Sequence, residues 1–237
     1  MKNGKKLSLF VILVLAGAVL SAQTADGIIS RYMDAIGGKK TIAKINSMLV
    51  EGTMEIEGME GVTKTTTLSG KGVMMELDMM GSLVVNCITD QGGWTINPFM
   101  GISTPEEMPE DQYNAAKYQI VIAGPFINYA EMGFKAELAG EEAVGDIKTD
   151  KVRLTSPEDI VSDHLFDQAS GYLIRTIEDG DMGENISTFS EYRKTNGLAI
   201  PYKVEISAAG GQAFIYATVE KVEVNVPVDE SIFNKPE

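Results

Sequence analysis

The feature that most constrains the fold is a two-residue alternation of apolar and polar side chains, which begins at Ser47. In this first segment Met48, Val50, Met54 and Ile56 fall on one side, while glutamate and threonine residues fall on the other. Successive side chains of a β-strand point to opposite faces, so the pattern predicts a strand with one buried and one wet face. Similar segments recur between glycine-rich breaks, which predicts an antiparallel sheet built from hairpins.

Roughly a dozen short segments follow this strand pattern, and turn residues such as Asn196 and Gly197 separate them. After the first strand, the predicted strands cover residues 63–70, 72–79, 83–89, 93–97, 135–142, 147–155, 160–167, 172–178, 185–195, 198–207 and 212–226. No internal repeat and no low-complexity linker divides them, so we expect a single domain over residues 23–237.

Helical spacing of apolar residues occurs in two places. Residues 25–36 end at a glycine pair and predict an amphipathic helix, and a second short helix follows over 39–45. The second place is a helical insertion over 104–132, because Pro105 and two glutamates are typical of a first helical turn. The predicted class is therefore α+β, mainly antiparallel β, with helices that cover one face of the sheet.

The first 22 residues have the pattern of a bacterial export signal. Three lysines precede an apolar run over residues 7–20, and the small residues Ser21 and Ala22 follow it. A run of this length is shorter than the roughly 18 to 20 residues that a membrane-spanning helix needs. We therefore predict cleavage near Ala22 and an exported, soluble protein of the periplasm.

The charge of the chain excludes one class of partner. Without the predicted signal, 17 basic residues remain against 34 acidic ones, a net charge of −17. Nucleic acid is a poor partner for such a surface. Cys87 is the single cysteine and lies in an apolar strand, so we expect no disulfide.

Residues that could carry catalysis or bind a metal are few. His164 is the single histidine, and no Gly-x-Ser-x-Gly motif supplies a nucleophile for it, so we interpret it as a structural residue of the sheet. The acidic segment 179–184 faintly resembles a calcium loop but is too short for an EF-hand, and a hairpin turn explains it better. No carboxylate pair is marked out by its neighbours. We expect no enzyme activity, no metal and no cofactor.

Methionines are concentrated in the first half of the predicted sheet. Nine of the twelve that follow the predicted signal lie between Met48 and Met108. Methionine side chains are flexible and recur on surfaces that accept apolar partners of variable shape. The residues that we expect to form a continuous apolar face are Met48, Val50, Met54, Val73, Met75, Leu77, Met79, Val85 and Cys87. The predicted helices are too small to cover this face, so we expect the sheet to curve around a partly filled concavity.

Four short stretches resemble one protein family in order and spacing. Residues 89–99, which include Trp94 and end in Asn-Pro-Phe99, are similar to a stretch of the periplasmic lipoprotein carrier LolA and its relatives. The other matching stretches are Gly124-Pro-Phe126, the hairpin over 166–175 and the closing segment 229–236. The resemblance spans most of the chain after the predicted signal.

The resemblance implies an unclosed β-barrel of about eleven antiparallel strands, with helices as a lid over a cavity for acyl chains. In that family, lipoproteins pass from an inner-membrane transporter to an outer-membrane receptor. An arginine on an early strand helps to fasten the lid there, whereas the matching segment 74–80 has no arginine.

We therefore predict a monomeric carrier for lipoproteins or other long-chain apolar ligands, with inner-membrane donor and outer-membrane acceptor proteins as further partners. The predicted ligand-binding residues are Met48, Val50, Met54, Val73, Met75, Leu77, Met79, Val85, Trp94, Ile96, Pro98, Phe99 and Phe126. Trp94, Pro98, Phe99 and Phe126 are expected at the mouth of the cavity. Two alternatives stay open: an acidic interaction or sensor module with a packed, ligand-free core, and a hydrolase with a carboxylate pair.

Overall fold

Thirteen strands form one antiparallel sheet in the computed structural model, which describes residues 24–180, 183–208 and 214–236. The predicted export signal at 1–22 lies outside these residues. The strands are β1 Ser47–Ile56, β2 Met59–Leu68, β3 Gly72–Met79, β4 Ser82–Thr89, β5 Gly93–Asn97, β6 Ile102–Glu107, β7 Lys135–Val144, β8 Ile147–Thr155, β9 Val161–Asp167, β10 Leu173–Gly180, β11 Gly183–Thr195, β12 Leu198–Ala208 and β13 Ile215–Val224.

The strand order leaves the sheet unclosed. β1 pairs with both β2 and β13, and the remaining strands pair with their neighbours in the chain. β6 and β7, which are consecutive in the chain, consequently lie at the two opposite edges of the sheet. The segment 108–134 joins these edge strands.

Three short α-helices accompany the sheet: α1 Ala25–Ala35, α2 Lys39–Ile42 and α3 Glu110–Ala116. The side-chain hydroxyl of Thr24 accepts a hydrogen bond from the backbone N–H of Gly27 at 3.1 Å and caps the start of α1. None of the helices among the described residues is long and apolar enough to cross a membrane.

The main hydrophobic core lies between α1 and the sheet. Ile28, Met33 and Ile36 of the N-terminal segment are almost completely buried against Val152 and Phe166, with Met48 of β1 at the margin. We call the side of the sheet that α1 covers the inner face, and the other side the outer face. This cluster extends from β8 and β9 to β1, so one core serves strands from both halves of the sheet.

The segment 108–134 extends this cover to both halves of the sheet. The backbone N–H of Gly70 donates to the Ile120 carbonyl at 2.9 Å, next to β2 and β3. The Lys117 ammonium group lies 2.6 Å from the Glu158 carboxylate, in the loop between β8 and β9. These contacts connect parts of the sheet that no strand pairing joins.

The C-terminal segment covers part of the outer face. The indole N–H of Trp94 donates to the Phe233 carbonyl at 2.9 Å, and the Phe233 ring packs with Val85 and Cys87. A side chain at Gly72 would meet this ring at 2.8 Å, so the close approach requires glycine there. The outer face of β3 to β5 is therefore also a packed surface.

The structure confirms the predicted fold class and nearly all predicted strands, with thirteen strands instead of about eleven. It corrects the start of the helical insertion, because Thr104 and Pro105 belong to the edge strand β6. Proline lacks a backbone N–H and is tolerated on an edge strand, so it did not mark a helix start here. The helix that follows is also shorter than predicted, since α3 passes into a 3₁₀ turn over Lys117–Ile120.

Phe233→Ala should lower the free energy of unfolding by about 3 to 5 kcal/mol, because it leaves a cavity in the outer-face cluster. Met100→Ala is the control, since the Met100 side chain is 76% exposed. The control should change stability by no more than about 0.5 kcal/mol. Urea titration of both variants measures this, and equal small losses would show that the C-terminal segment does not hold the outer face.

Candidate functional site

The strand register places most of the predicted apolar residues on the inner face. Met48 and Val73 both pair with Thr67, and Val50 and Met75 both pair with Thr65. Directly paired residues point to the same side of a sheet. Met54, Leu77 and Met79 lie on the same face, closer to the turns that follow β1 and β3.

The assignment of Val85 and Cys87 to this face is wrong. β3 and β4 are joined through Met80 and Gly81, which both have positive φ, and Met79 pairs with Ser82. Odd-numbered residues of β3 therefore pair with even-numbered residues of β4, so Val84 is the residue that points inward. A two-residue turn with positive φ at both positions is typical of tight hairpins. Across such a turn, the residues that face one side change from odd numbers in the first strand to even numbers in the second.

The residues expected at the mouth of the cavity are dispersed. Trp94 and Ile96 pair with Cys87 and Val85 and lie on the outer face. Pro98 and Phe99 belong to a 3₁₀ turn between β5 and β6, where the Phe99 side chain is 54% exposed. Phe126 is buried in the main core, next to Tyr32, Phe166 and His164.

The inner face has a packed part and an open part. In the packed part, α1 and residues 122–126 bury the sheet residues Val152, Leu154 and Phe166, and Met48 lies at the margin. Further along the strands many inward apolar side chains are only half-buried, while Leu77, Met79 and Val84 form a small buried cluster on the same face. The half-buried residues of this open part are Val50, Met54, Ile56, Met75, Val204, Ile206, Ile215 and Ala217.

Several residues of the open part were missed by the sequence analysis. Val204 and Ile206 come from β12, and Ile215 and Ala217 come from β13, the strand that pairs with β1. β1 and β13 are far apart in sequence, so only their pairing brings these side chains beside Met54. The alternation of apolar and polar residues in β12 and β13 is visible in the sequence. It does not reveal that β13 pairs with β1.

A cavity of about 200 Å³ lies between the segment 114–125 and strands β8 to β10. Its walls are largely apolar, and Phe134, Leu154 and Ile160 contribute to them. Ser162, His164 and Glu178 add polar groups to the same cavity. The Ser162 hydroxyl lies 2.9 Å from Nε2 of His164.

The electrostatics of this cavity are governed by desolvation. Burial lowers the pKa of His164 to about 4, so the imidazole is neutral near pH 7. Desolvation also raises the pKa of the Glu178 carboxyl group. Nδ1 of His164 is buried and has no hydrogen-bond partner among the described residues, so no carboxylate orients the ring as a catalytic triad requires.

A second, larger groove of about 880 Å³ lies on the outer side, between β5, β6 and the C-terminal segment. Its lining mixes charged and apolar groups, which include Lys71, Glu107, Trp94 and Lys235. Lys235 and Glu107 are joined by a salt bridge of 3.0 Å. This groove is separated from the open part of the inner face by the sheet itself.

The helical cover is fastened to the sheet by an ion pair. Nη2 of Arg31 on α1 lies 2.5 Å from Oδ2 of Asp150 on β8, and the Asp150 side chain is 1% exposed. Nε2 of Gln168 donates to Oδ1 of the same carboxylate at 2.8 Å. The arginine that fastens the helical cover in this protein therefore lies on α1 and not on an early strand. It anchors α1 to the packed part of the inner face.

His164 should titrate far below the ordinary histidine pKa of 6.5. The folded pKa of about 4 lies below the unfolded value, so the stability linked to this ring is complete above about pH 6.5 and is lost toward pH 4. Because the chain has one histidine, its imidazole NMR signals are unambiguous. We expect their chemical shifts to titrate with a midpoint near 4, and a midpoint near 6.5 would mean that solvent reaches the ring.

Three solved structures share this fold. A DUF1329 family protein from Desulfovibrio piger has a TM-score of 0.62 at 12% identity, with 89% of this chain and 95% of that chain covered. A LolA superfamily protein from Nitrosomonas europaea has a TM-score of 0.61 at 13% identity, with 90% and 98% covered. A domain assigned to an outer membrane lipoprotein-sorting protein from Vibrio parahaemolyticus has a TM-score of 0.61 at 10% identity, with 89% and 96% covered.

No protein-family model matches the chain, and no curated protein matches it in sequence. At such low identity the structural likeness concerns the fold alone. The likeness extends along nearly the whole chain and includes the unclosed antiparallel sheet with few helices. The chain therefore has a LolA-like fold, as its sequence motifs indicated.

Proposed function

We propose that this protein is a non-enzymatic periplasmic carrier that binds a long apolar chain on the open part of the inner face. The observation that supports this most directly is the row of half-buried apolar side chains from β1, β3, β12 and β13. Apolar surface on a curved face that the helices leave uncovered gains free energy when a ligand excludes water from it.

The energetics of acyl-chain binding fit such a surface. Burial of a methylene group contributes about 0.8 kcal/mol, so about ten methylenes contribute roughly 8 kcal/mol before the entropic costs of binding. Met54 and Met75 have flexible side chains that adapt to chains of different shape. Leu77 and Met79, which are almost fully buried beside Met54, form a rigid base for them.

We further propose that the cargo is a lipoprotein or another envelope lipid, in outer-membrane lipoprotein sorting or lipid handling. The lipoprotein-sorting assignment of the Vibrio parahaemolyticus domain and the sequence motifs support this. In this proposal residues 1–22 direct export and are removed, and the remainder works as one domain with donor and acceptor proteins at the two membranes.

Met54→Asp should abolish binding of a long-chain apolar probe, because it places a charge among the half-buried side chains of the open part. Val62→Asp is the matched control: Val62 on β2 pairs with Thr53 and Asp78, points outward and is 64% exposed. Native mass spectrometry with a fluorescent fatty acid and with a triacylated lipopeptide measures the bound fraction for both variants.

We expect stoichiometric binding to the unmodified protein and to the control, with at least a tenfold weaker signal for Met54→Asp. Thermal unfolding of both variants verifies that the fold is intact. Equal binding by a folded Met54→Asp variant would remove this face from the site. A protein that binds neither probe would instead favour the acidic interaction module, with the groove beside Trp94 and Lys235 as its contact surface.

A further inference from the structure

The inner face is almost free of charge, although the chain has 34 acidic residues. Among the paired inward residues of β1 to β4, β9, β10 and β13, Glu178 is the single charged side chain, whereas the inward Asp150 of β8 is bound to Arg31 of α1. It pairs with Ser162 of β9 on one side and with Asn185 of β11 on the other. The remaining acidic residues of these strands point outward or lie at the turns.

Glu178 is the centre of a small polar patch. The next inward row joins His164, Thr176 and Ser187 through the same pairings. We call these six residues, Ser162, His164, Thr176, Glu178, Asn185 and Ser187, the polar patch. Ser187 in turn pairs with Ile206, which belongs to the open apolar part. A ligand with an apolar tail beside Ile206 therefore has its polar end within reach of the patch.

The patch has unused hydrogen-bonding capacity. Glu178 forms no salt bridge with any cationic side chain of the described residues, and it is an exposed residue at the edge of the cavity that it lines. The nearby Lys117 is already bound to Glu158 and to Asn114. Nδ1 of His164, a residue that is 7% exposed, also has no hydrogen-bond partner within residues 24–180, 183–208 and 214–236.

The charge of Glu178 determines which polar group fits. A carboxylate in a largely apolar cavity is stabilised by a cation that donates hydrogen bonds to it, and such charge-assisted bonds are about twice as strong as neutral ones. A second carboxylate at the same place is repelled. Desolvation raises the pKa of Glu178, a direction that agrees with the lack of a salt bridge to it among the described residues.

We propose that the polar patch holds the polar end of the carried amphiphile and selects a head group with a cationic amine over one with a carboxylate. This inference rests on the proposed function, because it assumes that the tail occupies the open apolar part. The source of the amine is a lipid head group or the amino end of an acylated peptide, and both present the same chemistry to Glu178.

The experiment compares three probes with the same alkyl tail: dodecylamine, dodecanol and dodecanoate. Isothermal titration calorimetry on the folded protein at pH 7 gives a dissociation constant for each probe below its micelle concentration. We expect the amine to bind about tenfold more tightly than the alcohol, and the carboxylate to bind most weakly.

Glu178→Gln should remove the preference for the amine and leave the affinity for dodecanol unchanged. Asp179→Asn is the matched control, because Asp179 is the next residue of β10, pairs with Glu184 and points outward. The control should retain the full preference for the amine. A loss of preference in both variants would indicate a general charge effect and overturn the assignment of Glu178.

The remaining outcomes separate the two proposals. If the unmodified protein binds all three probes equally, the selection by head group is overturned and the carrier function stands. If Glu178→Gln weakens all three probes equally, Glu178 supports the fold and does not select the ligand. If neither the three probes nor the triacylated lipopeptide binds, the carrier function fails, and this inference fails with it.

A preference for dodecylamine is followed by binding tests with an aminolipid and with an acylated peptide. Binding of only one of the two identifies the cargo.

Discussion

A thirteen-stranded sheet has two broad faces to shield from water, and the few helical residues of this chain cover only part of one of them. On one side α1 packs against the sheet, so that Ile28 and Phe166 share one core. On the other side the C-terminal segment places Phe233 over Gly72. What remains uncovered is the far part of the inner face, where Met54 and Ile206 are only half-buried.

The link between β6 and β7 follows from the same constraint. Because these consecutive strands lie at opposite edges, the segment that joins them has to cross between the two halves of the sheet. It is held on one side by Gly70 and on the other by Glu158. The Arg31–Asp150 ion pair fastens α1 beside it. The helix α1 and the segment 108–134 are thus attached over the packed part of the inner face. The open apolar part lies next to them and is not covered by them.

The distribution of charge separates the two sides of the sheet. Outward positions carry ion pairs such as the half-exposed Arg153 with the largely buried Asp163. Inward positions carry few charges: Asp150 is bound to Arg31, and Glu178 lies in the polar patch. The net negative charge of the chain therefore lies mainly on the outer face and at the turns. Glu178 is notable because nothing in the fold of the described residues requires a carboxylate at that position.

The amino-acid sequence by itself determined most of the strands and the fold class, because alternation along a strand is a local property that a segment such as Ser47–Ile56 displays without any partner. It also identified Met54 and Met75 as apolar residues on one face. The side occupied by Val85 depended on the turn at Met80, and the nearness of Val204 to Met54 depended on the pairing of β1 with β13. Only the tertiary structure decided these points and the inward position of Glu178, since they follow from register and strand order, which join residues that are distant in the chain.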